Sequence, residues 1–303
     1  MIGKIQILSR SQINDARWNE TIRLASNSLP YGYTWYLDAL CPRWIGIVVG
    51  DYDFIMPLPI ARKWGLLYVY QPLFCQQLGL FYKRRSETII QQVLSLALKK
   101  FLYVNLNANY DNTSPTLSKL KPKEKANFTL RLDVKHKDIQ KNFGENTLRN
   151  IKKAQKEGLK VEVAKADLYD SFVDFYIKNT ASRDKAFKLQ HQDTLRKLVH
   201  QFIIHDCSTL YIVNDHEGKL CAGVIIIRSP TRLIHLLPAS GDYARQHGVM
   251  QFLIDGIIQQ HENSALLYDF EGSSVPTIAQ FYKGFGAVNT PFLSLSKAPF
   301  KRG

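Results

Sequence analysis

Apolar and polar residues along the chain recur with two periods, which together predict a mixture of helices and strands. Residues 12–25 repeat apolar positions at the three-to-four-residue spacing of a helix. Short apolar runs typical of buried strands follow at 44–49, 52–58, 66–70 and 78–82. Residues 87–101 have the broad apolar face of a second helix, and 103–107 return to a strand. The first part is therefore predicted to be mixed α and β.

The second part of the chain shows the same mixture with longer helices. Strands are predicted at 128–132, 160–164, 209–213, 220–228, 233–237 and 265–270. Helices are predicted at 138–157, 168–180, 192–205 and 249–260. Strand-helix alternation around a central β-meander indicates an α/β fold with a mixed sheet.

The segment between the two parts has the composition of a linker. Residues 108–127 are rich in Asn, Ser, Thr, Pro and Lys. At about 150 residues per domain, a chain of 303 residues with 45% hydrophobic residues predicts two domains. We place the first at 1–120 and the second at 121–303.

The positive charge of the chain indicates which class of molecules it binds. The formal net charge is +14, which favours anionic molecules such as phosphates, nucleic acid or a membrane face. Between Thr116 and Lys165, 14 Lys and Arg stand against 6 Asp and Glu. Part of this charge follows a predicted helix, at Arg149, Lys152 and Lys153. A solvated helix face is the alternative explanation.

Cysteine, histidine and apolar segments indicate the compartment and exclude some chemistry. The four cysteines are scattered without a C-x-x-C pair, as expected for reduced core thiols in the cytoplasm. The N-terminus lacks the apolar core of a signal peptide, and no apolar run predicts an integral membrane segment. The histidines lack metal-ligand spacing, so no metal site is predicted. The oligomeric state is left open.

Two short motifs near the C-terminal end are candidates for chemistry. R-Q-H-G-V-M lies between a predicted strand and a predicted helix. Its residues are Arg245, Gln246, His247, Gly248, Val249 and Met250. F-Y-K-G-F-G follows the last predicted strand and includes Tyr282, four residues before Gly286.

With these motifs, the element order from residue 209 onward resembles the Gcn5-related N-acetyltransferase (GNAT) fold. The family's acyl-CoA loop reads Q/R-x-x-G-x-G/A, so the resemblance implies that residues 245–250 hold the CoA pyrophosphate through backbone N–H groups. Met250 departs from the pattern, which has Gly or Ala there. A structural glycine before a helix is the alternative for Gly248.

The resemblance also implies a role for Tyr282. GNAT enzymes often have a tyrosine at this spacing before a glycine, and its phenol can protonate the departing CoA thiolate. Packing of the Tyr282 ring in the core is the alternative.

A series of segments resembles the Fem-type peptidyltransferases, which add amino acids to peptidoglycan precursors. In order, they are T-L-R-N-I-K-K-A-Q-K-E-G-L-K-V, T-A-S-R-D-K-A-F, A-G-V-I-I-I, L-P-A-S-G, Y-D-F-E-G-S and F-Y-K-G-F-G-A. They cover about residues 141–287. The resemblance implies two tandem acetyltransferase-like domains, the N-terminal one degenerate.

Two departures from the Fem-type pattern bear on the acyl donor. Those proteins usually have a lysine where this chain has Tyr282, and Lys283 points about 100° away on a helix. The chain also lacks the heptads of a coiled-coil arm. Both points favour acyl-CoA as donor. Aminoacyl-tRNA remains an alternative because of the basic segment, and a non-catalytic RNA-binding module is a third.

The strand predicted at 265–270 leads to two carboxylates. Because side chains alternate along a strand, Asp269 and Glu271 are predicted to share one face. Either could take the proton of an acceptor amine, directly or through water. Structural roles in a turn or an ion pair are the alternatives. Backbone N–H groups near Ser240 could polarise the thioester carbonyl, and His235 is a further candidate base or a core residue.

Three cations are predicted to bind phosphates of the acceptor. Arg149, Lys152 and Arg183 lie in segments that resemble the Fem-type proteins. The resemblance implies an anionic small molecule or cell-envelope precursor as acceptor. It also implies a bacterial protein in the cytoplasm or at the periphery of the inner membrane.

Overall fold

A computed structural model describes residues 3–113, 122–181, 187–273 and 275–297. The chain divides into two compact units. The first comprises the residues up to Ala126 together with those from Thr290 onward, and the second runs from Asn127 to Asn289. The boundary predicted at residue 120 lies outside the described residues.

A mixed sheet organises the first unit. Its strands are β1 (Ile5–Ser9), β2 (Trp44–Val49), β3 (Phe54–Lys63), β4 (Leu66–Val69), β5 (Phe81–Tyr82), β6 (Val104–Asn107), β7 (Lys123–Lys125) and β15 (Phe292–Lys297). Their order is β1-β2-β3-β4-β6-β15-β7, with β5 beside β3. The helices are α1 (Asp15–Leu24), α2 (Thr34–Leu40) and α3 (Glu87–Lys100). The core includes the fully buried rings of Trp18, Tyr31, Tyr36, Phe81 and Tyr82.

Strand β15 differs from the predicted domain assignment, which gave the whole C-terminal end to the second domain. Leu295 pairs with Leu106 of β6, and Phe292 pairs with Lys125 of β7. The last strand therefore lies between two strands of the first unit. Such a long-range pairing leaves no trace in the local pattern of its six residues.

The hairpin between β3 and β4 ends in a tight turn. Trp64 and Gly65 form its tip and both have positive φ, 50° and 78°. Two consecutive positive φ values are the signature of a type I′ turn, whose twist matches the flanking strands. Lys63 pairs with Leu66 directly behind the tip.

A second mixed sheet organises the second unit. Its strands are β8 (Phe128–Arg131), β9 (Glu162–Val163), β10 (Ser208–Asn214), β11 (Leu220–Arg228), β12 (Arg232–Ser240), β13 (Leu267–Asp269) and β14 (Val288–Asn289). Their order is β14-β8-β13-β12-β11-β10-β9, with β12 and β13 parallel. The helices are α4 (His136–Gln140), α5 (Glu145–Lys156), α6 (Tyr169–Asn179), α7 (Gln190–Ile204), α8 (Asp242–His247), α9 (Val249–Gln260) and α10 (Pro276–Lys283). The predicted α/β class with mixed sheets is confirmed.

One predicted helix is interrupted in the structure, and one helix of the structure was not predicted. The helix predicted at 138–157 is interrupted, and α5 begins after Gly144, whose backbone is extended at φ −67° and ψ 150°. Helix α2 was not predicted, because its aromatic residues do not follow a clear helical period. Among the described residues, no helix combines the length and apolar character needed to span a bilayer.

Candidate functional site

Strands β12 and β13 pair over only three residues. Arg232, Leu233 and Ile234 are in register with Leu267, Tyr268 and Asp269. Strand β13 then ends, whereas β12 continues to Ser240. Beyond Ile234 of β12 and Asp269 of β13 the two strands are no longer paired. We call the space between these two segments the strand gap. Ligands of open α/β sheets commonly bind beside the carboxyl ends of parallel strands, so the strand gap is the candidate site.

A β-bulge lies in β12 at the start of the strand gap. Ile226 of β11 pairs with His235, but its neighbour Ile225 pairs with Leu237, so Leu236 is an extra residue. A bulge takes one residue out of the regular ladder and turns its backbone groups in a new direction. The bulge can therefore supply a backbone N–H to a carbonyl oxygen in the gap.

Buried aromatic side chains and one histidine line the base of the strand gap. His235 is 2% exposed, and its Nδ1 lies 2.7 Å from the hydroxyl of Tyr268. Burial lowers the pKa of His235 to about 3, so the ring is neutral at physiological pH. Burial and this hydrogen bond fit the alternative of a core histidine.

Tyr282 projects from α10 onto this aromatic cluster. Its ring centroid lies 4.9 Å from that of Phe270 and 6.4 Å from that of His235. Burial raises the pKa of the Tyr282 hydroxyl, and the negative charge of nearby Glu271 raises it further. The phenol is therefore protonated at neutral pH, as a proton donor must be.

The structure separates the two carboxylates that the sequence predicted on one face. Strand β13 ends at Asp269, and Glu271 has a left-handed backbone with φ 59°, so side-chain alternation stops before Glu271. Glu271 is half-buried, its carbonyl oxygen accepts the N–H of Phe128 at 2.9 Å, and its charge acts on Tyr282. Glu271 is thus the carboxylate beside the tyrosine.

Asp269 instead belongs to a buried ion pair. Arg232 Nη1 donates to its Oδ2 at 2.6 Å, and both side chains are almost inaccessible. Its Oδ1 accepts hydrogen bonds from Asn127 Nδ2 at 3.1 Å and from the Glu271 N–H at 3.0 Å. Both carboxylate oxygens are therefore engaged, which favours the structural role over that of proton acceptor.

The segment predicted as an open pyrophosphate loop is largely helical. Arg245, Gln246 and His247 form the end of α8, and Val249 and Met250 begin α9. Ser240, predicted to lie near the substrate, is the last residue of β12.

Arg245 is engaged by residues just before it in the chain, at the end of β12 and the start of α8. Its guanidinium donates to the Ser240 carbonyl oxygen and, at 2.5 Å, to Asp242 Oδ1. The Gln246 carbonyl oxygen accepts a hydrogen bond from Lys153 Nζ at 2.8 Å. These contacts fix the position of α8. They also engage the Arg245 side chain, which lies in the segment predicted to bind the CoA pyrophosphate.

Gly248 joins α8 to α9 and packs closely on α5. Its φ is 70°, and a Cβ at this position would lie 2.6 Å from the Cβ of Asn150. Gly284, in the other motif, likewise leaves only 2.5 Å between such a Cβ and Thr147 Oγ1. Both motif glycines therefore allow close approach of α5, a function that sequence spacing did not reveal.

Helix α5 presents a cationic stripe to solvent. Thr147, Ile151 and Ala154 are buried, whereas the exposed cations recur at positions i, i+3, i+4 and i+7. These cations are Arg149, Lys152, Lys153 and Lys156. The stripe contains two of the predicted acceptor-binding residues, and the third, Arg183, lies outside the described residues. Within the described ranges, no cluster of three or more His, Cys, Asp and Glu side chains could hold a metal.

Comparison with known proteins agrees with this architecture. Residues 141–276 match the family model described as Acetyltransferase (GNAT) domain. No curated protein matches the chain in sequence.

Three solved structures share the fold across almost the whole chain. One is the crystal structure of FemX, with TM-score 0.68 and 13% identity over 97% of both chains. Another is a tandem GNAT protein from the clavulanic acid biosynthesis pathway, with TM-score 0.55 and 11% identity, covering 99% of this chain and 100% of the other. The third is a C-terminal domain from Agrobacterium fabrum described as part of a lysylphosphatidylglycerol synthetase, with TM-score 0.56 and 9% identity, covering 93% and 90%.

Most of the second unit therefore matches a GNAT domain, and the fold of the whole chain is similar to the folds of FemX and of a tandem GNAT protein.

Proposed function

We propose that this protein transfers an acyl group from acyl-CoA to an amine, or less favourably a hydroxyl, of an anionic acceptor related to the cell envelope. The observation that carries the proposal is the position of Tyr282, which packs on Phe270 and His235 at the strand gap beside Glu271. The GNAT domain match supports acyl transfer as the reaction class. The FemX and lysylphosphatidylglycerol synthetase neighbours support the choice of an envelope acceptor.

The proposed reaction uses three groups of this chain. Glu271 accepts the proton of the acceptor amine, directly or through water, while the amine nitrogen attacks the thioester carbon. The backbone N–H at the Leu236 bulge stabilises the oxyanion that forms there. As the C–S bond breaks, Tyr282 donates its proton to the thiolate, and the proton held by Glu271 returns Tyr282 to its neutral form. One amide and one thiol are produced.

The cationic stripe on α5 is proposed to bind the acceptor's phosphate groups. Arg149 and Lys152 belong to it, and Arg183 is assigned the same role from its sequence segment. Charge-assisted hydrogen bonds from these side chains suit phosphate oxygens.

Aminoacyl-tRNA is a second candidate donor, and two observations favour it. The helical α8 replaces the open loop expected for a CoA pyrophosphate. The cationic stripe also suits a nucleic-acid backbone, whose binding depends mainly on phosphate contacts.

Two measurements test the donor and the reaction. Thermal unfolding is followed with acetyl-CoA, with CoA and with deacylated or aminoacylated tRNA, and thiol release is followed from acyl-CoA with a panel of amines. Stabilisation by CoA and amine-dependent thiol release support the proposal. If neither occurs and salt-sensitive tRNA binding does, acyl-CoA is excluded as donor. Binding of tRNA that Lys152→Glu weakens, and the exposed α7 control Lys197→Glu does not, supports the second candidate.

A further inference from the structure

The hairpin tip of the first unit exposes a group of large apolar side chains. Trp64 is 89% exposed, and Leu66 and Leu67 directly after it are 56% and 40% exposed. In the loop before β6, Leu102 and Tyr103 are 52% and 42% exposed. Single exposed apolar residues are common, but several large ones together mark an interaction site.

These two segments lie side by side at one end of the sheet. Val69 of β4 pairs in parallel with Val104 of β6, so the residues that precede Val69 lie next to those that precede Val104. The ring of Tyr68 contacts that of Tyr103 in a T-shaped arrangement, at a centroid distance of 5.8 Å. We call the surface of Trp64, Leu66, Leu67, Leu102 and Tyr103 the hairpin patch.

Cations surround the hairpin patch. Arg62 and Lys63 are exposed on the hairpin, and Lys99 and Lys100 are exposed at the end of α3, just before Leu102. Lys63 Nζ lies 4.6 Å from the centroid of the Trp64 ring. The two segments of the patch, 62–67 and 99–103, contain four Lys and Arg and no carboxylate. The patch therefore combines apolar surface with an almost uniformly positive border.

The turn itself does not explain the tryptophan. Trp64 has φ 50°, in the left-handed region where a bulky side chain is unfavourable and Asn, Asp or Gly is preferred. Neither does the core explain it, because the side chain is almost fully exposed. A binding role at the tip accounts for both facts.

We propose that the hairpin patch docks on the surface of a bilayer that contains anionic lipid. Trp64, Leu66 and Leu67 enter the boundary between headgroups and acyl chains, where indole rings and leucines bind favourably. Arg62, Lys63, Lys99 and Lys100 lie over the lipid phosphates, whose negative charge attracts them. Charge argues against a second copy of this chain as the occupant, because two patches with the same positive border repel one another.

Vesicle binding and tryptophan fluorescence of the full chain test this docking. We expect cosedimentation with vesicles of equal parts phosphatidylglycerol and phosphatidylcholine at least about 10-fold stronger than with phosphatidylcholine alone. Trp64 is the reporter, because Trp18 and Trp44 are buried and Trp35 is half-buried. Brominated acyl chains should quench an emission component that is absent in Trp64→Phe.

Matched variants distinguish docking through the hairpin patch from nonspecific adsorption to vesicles. Trp64→Ser and the double variant Leu66→Ser, Leu67→Ser should lose most binding, and Arg62→Glu with Lys63→Glu should lose the preference for anionic lipid. Leu24→Ser removes an exposed leucine of α1 that lies outside the patch, and it should bind like the parent chain. Each variant is checked by thermal unfolding.

Three outcomes would overturn the proposal. The first is equally strong binding to neutral and to anionic vesicles. The second is unchanged vesicle binding by the Trp64 and charge variants when these are folded. The third is no vesicle binding, together with a concentration-dependent dimer that Trp64→Ser abolishes. The proposed acyl transfer does not depend on this surface, so either proposal can fail without the other.

Discussion

At the scale of single residues, the strand gap places two ionisable groups in different surroundings. Tyr282 packs among aromatic rings, and Glu271 lies near it, two residues after the end of β13. The phenol keeps its proton at neutral pH, because burial and the nearby charge of Glu271 raise its pKa. The proposed mechanism assigns proton donation to Tyr282 and proton acceptance to Glu271.

Tyr282→Phe tests the proton-donor role. The ring is retained, so packing on Phe270 persists, but the thiolate loses its donor. We expect kcat for thiol release to fall about 100-fold, with little change in the melting temperature. Tyr82→Phe is the control, since it removes a hydroxyl that contacts Asp111 in the first unit. An unchanged kcat in Tyr282→Phe would assign Tyr282 to packing alone.

Asp269→Asn tests the buried ion pair. Loss of the negative charge leaves the Arg232 guanidinium buried without its counter-charge, so unfolding free energy should fall by about 3–5 kcal/mol in urea titrations. Asp174→Asn removes the partner of Arg196 in an exposed pair, where about 0–1 kcal/mol is expected. Equal effects of the two substitutions would contradict a structural role for Asp269.

His235 predicts a pH dependence of stability. Its folded pKa, about 3, lies below the ordinary value of about 6.5, so the unfolded chain binds more protons between these values. Stability is therefore present above pH 6.5 and is lost as pH falls toward 3.

The slope of unfolding free energy against pH measures this effect. His235→Phe should reduce the slope between about pH 6 and pH 4 by up to one proton. Tyr268→Phe keeps the buried histidine and should keep the slope, although it removes the hydrogen-bond partner. Equal slopes in the parent chain and His235→Phe would show that another group is responsible.

The local sequence predicted some of these residues better than others. Tyr282 became a candidate through its spacing to Gly286, because the motif is short and local. The partner of Asp269 could not be predicted, since Arg232 lies on a neighbouring strand 37 residues away. The left-handed backbone of Glu271 also escaped prediction, because simple alternation assumes that the strand continues.

At the scale of elements, α5 is the part that connects both sequence motifs. Its buried face packs on α9, while Gly248 and Gly284 allow the backbones of other elements to approach it. Periodicity correctly predicted α1, α3, α6, α7 and α9, whose apolar faces are long. It did not predict the extended backbone at Gly144, which separates α4 from α5, or the helical form of α8, which ends where Gly248 packs closely on α5.

Gly248→Ala tests the close approach of α5. The substitution combines an unfavourable positive φ with a clash against Asn150, so we expect a loss of about 2–4 kcal/mol in unfolding free energy. Gly218→Ala is matched in backbone conformation, with φ 76° and open space around the new methyl group. It should cost about 1 kcal/mol, and the difference between the variants measures the packing term. Similar losses in both would exclude a steric role for Asn150.

At the scale of the whole molecule, the first unit is built from two stretches of sequence that lie on either side of the second unit. The first unit is discontinuous, because β15 joins β6 and β7 after the whole second unit has been traversed. Sequence composition predicted two parts joined by a polar segment, and the chain divides into two compact units. It could not indicate the return, since the strand pattern of residues 292–297 fits any sheet edge.

Removal of residues 290–303 tests the contribution of β15. We expect faster hydrogen exchange at the amides of Val104–Asn107, which lose a pairing strand, measured by mass spectrometry. The amides of β10 and β11 in the same molecule are the internal control and should keep their protection. Uniform loss of protection in both units would instead indicate that the chain unfolds as one cooperative body.

The position of β15 also has a consequence for biosynthesis. A ribosome releases the chain from its N-terminus, so all strands of the second unit emerge before residues 292–297 do. Until then, β6 and β7 lack the strand that lies between them. The second unit can therefore complete its fold during translation before the first unit, which needs the last strand of the chain.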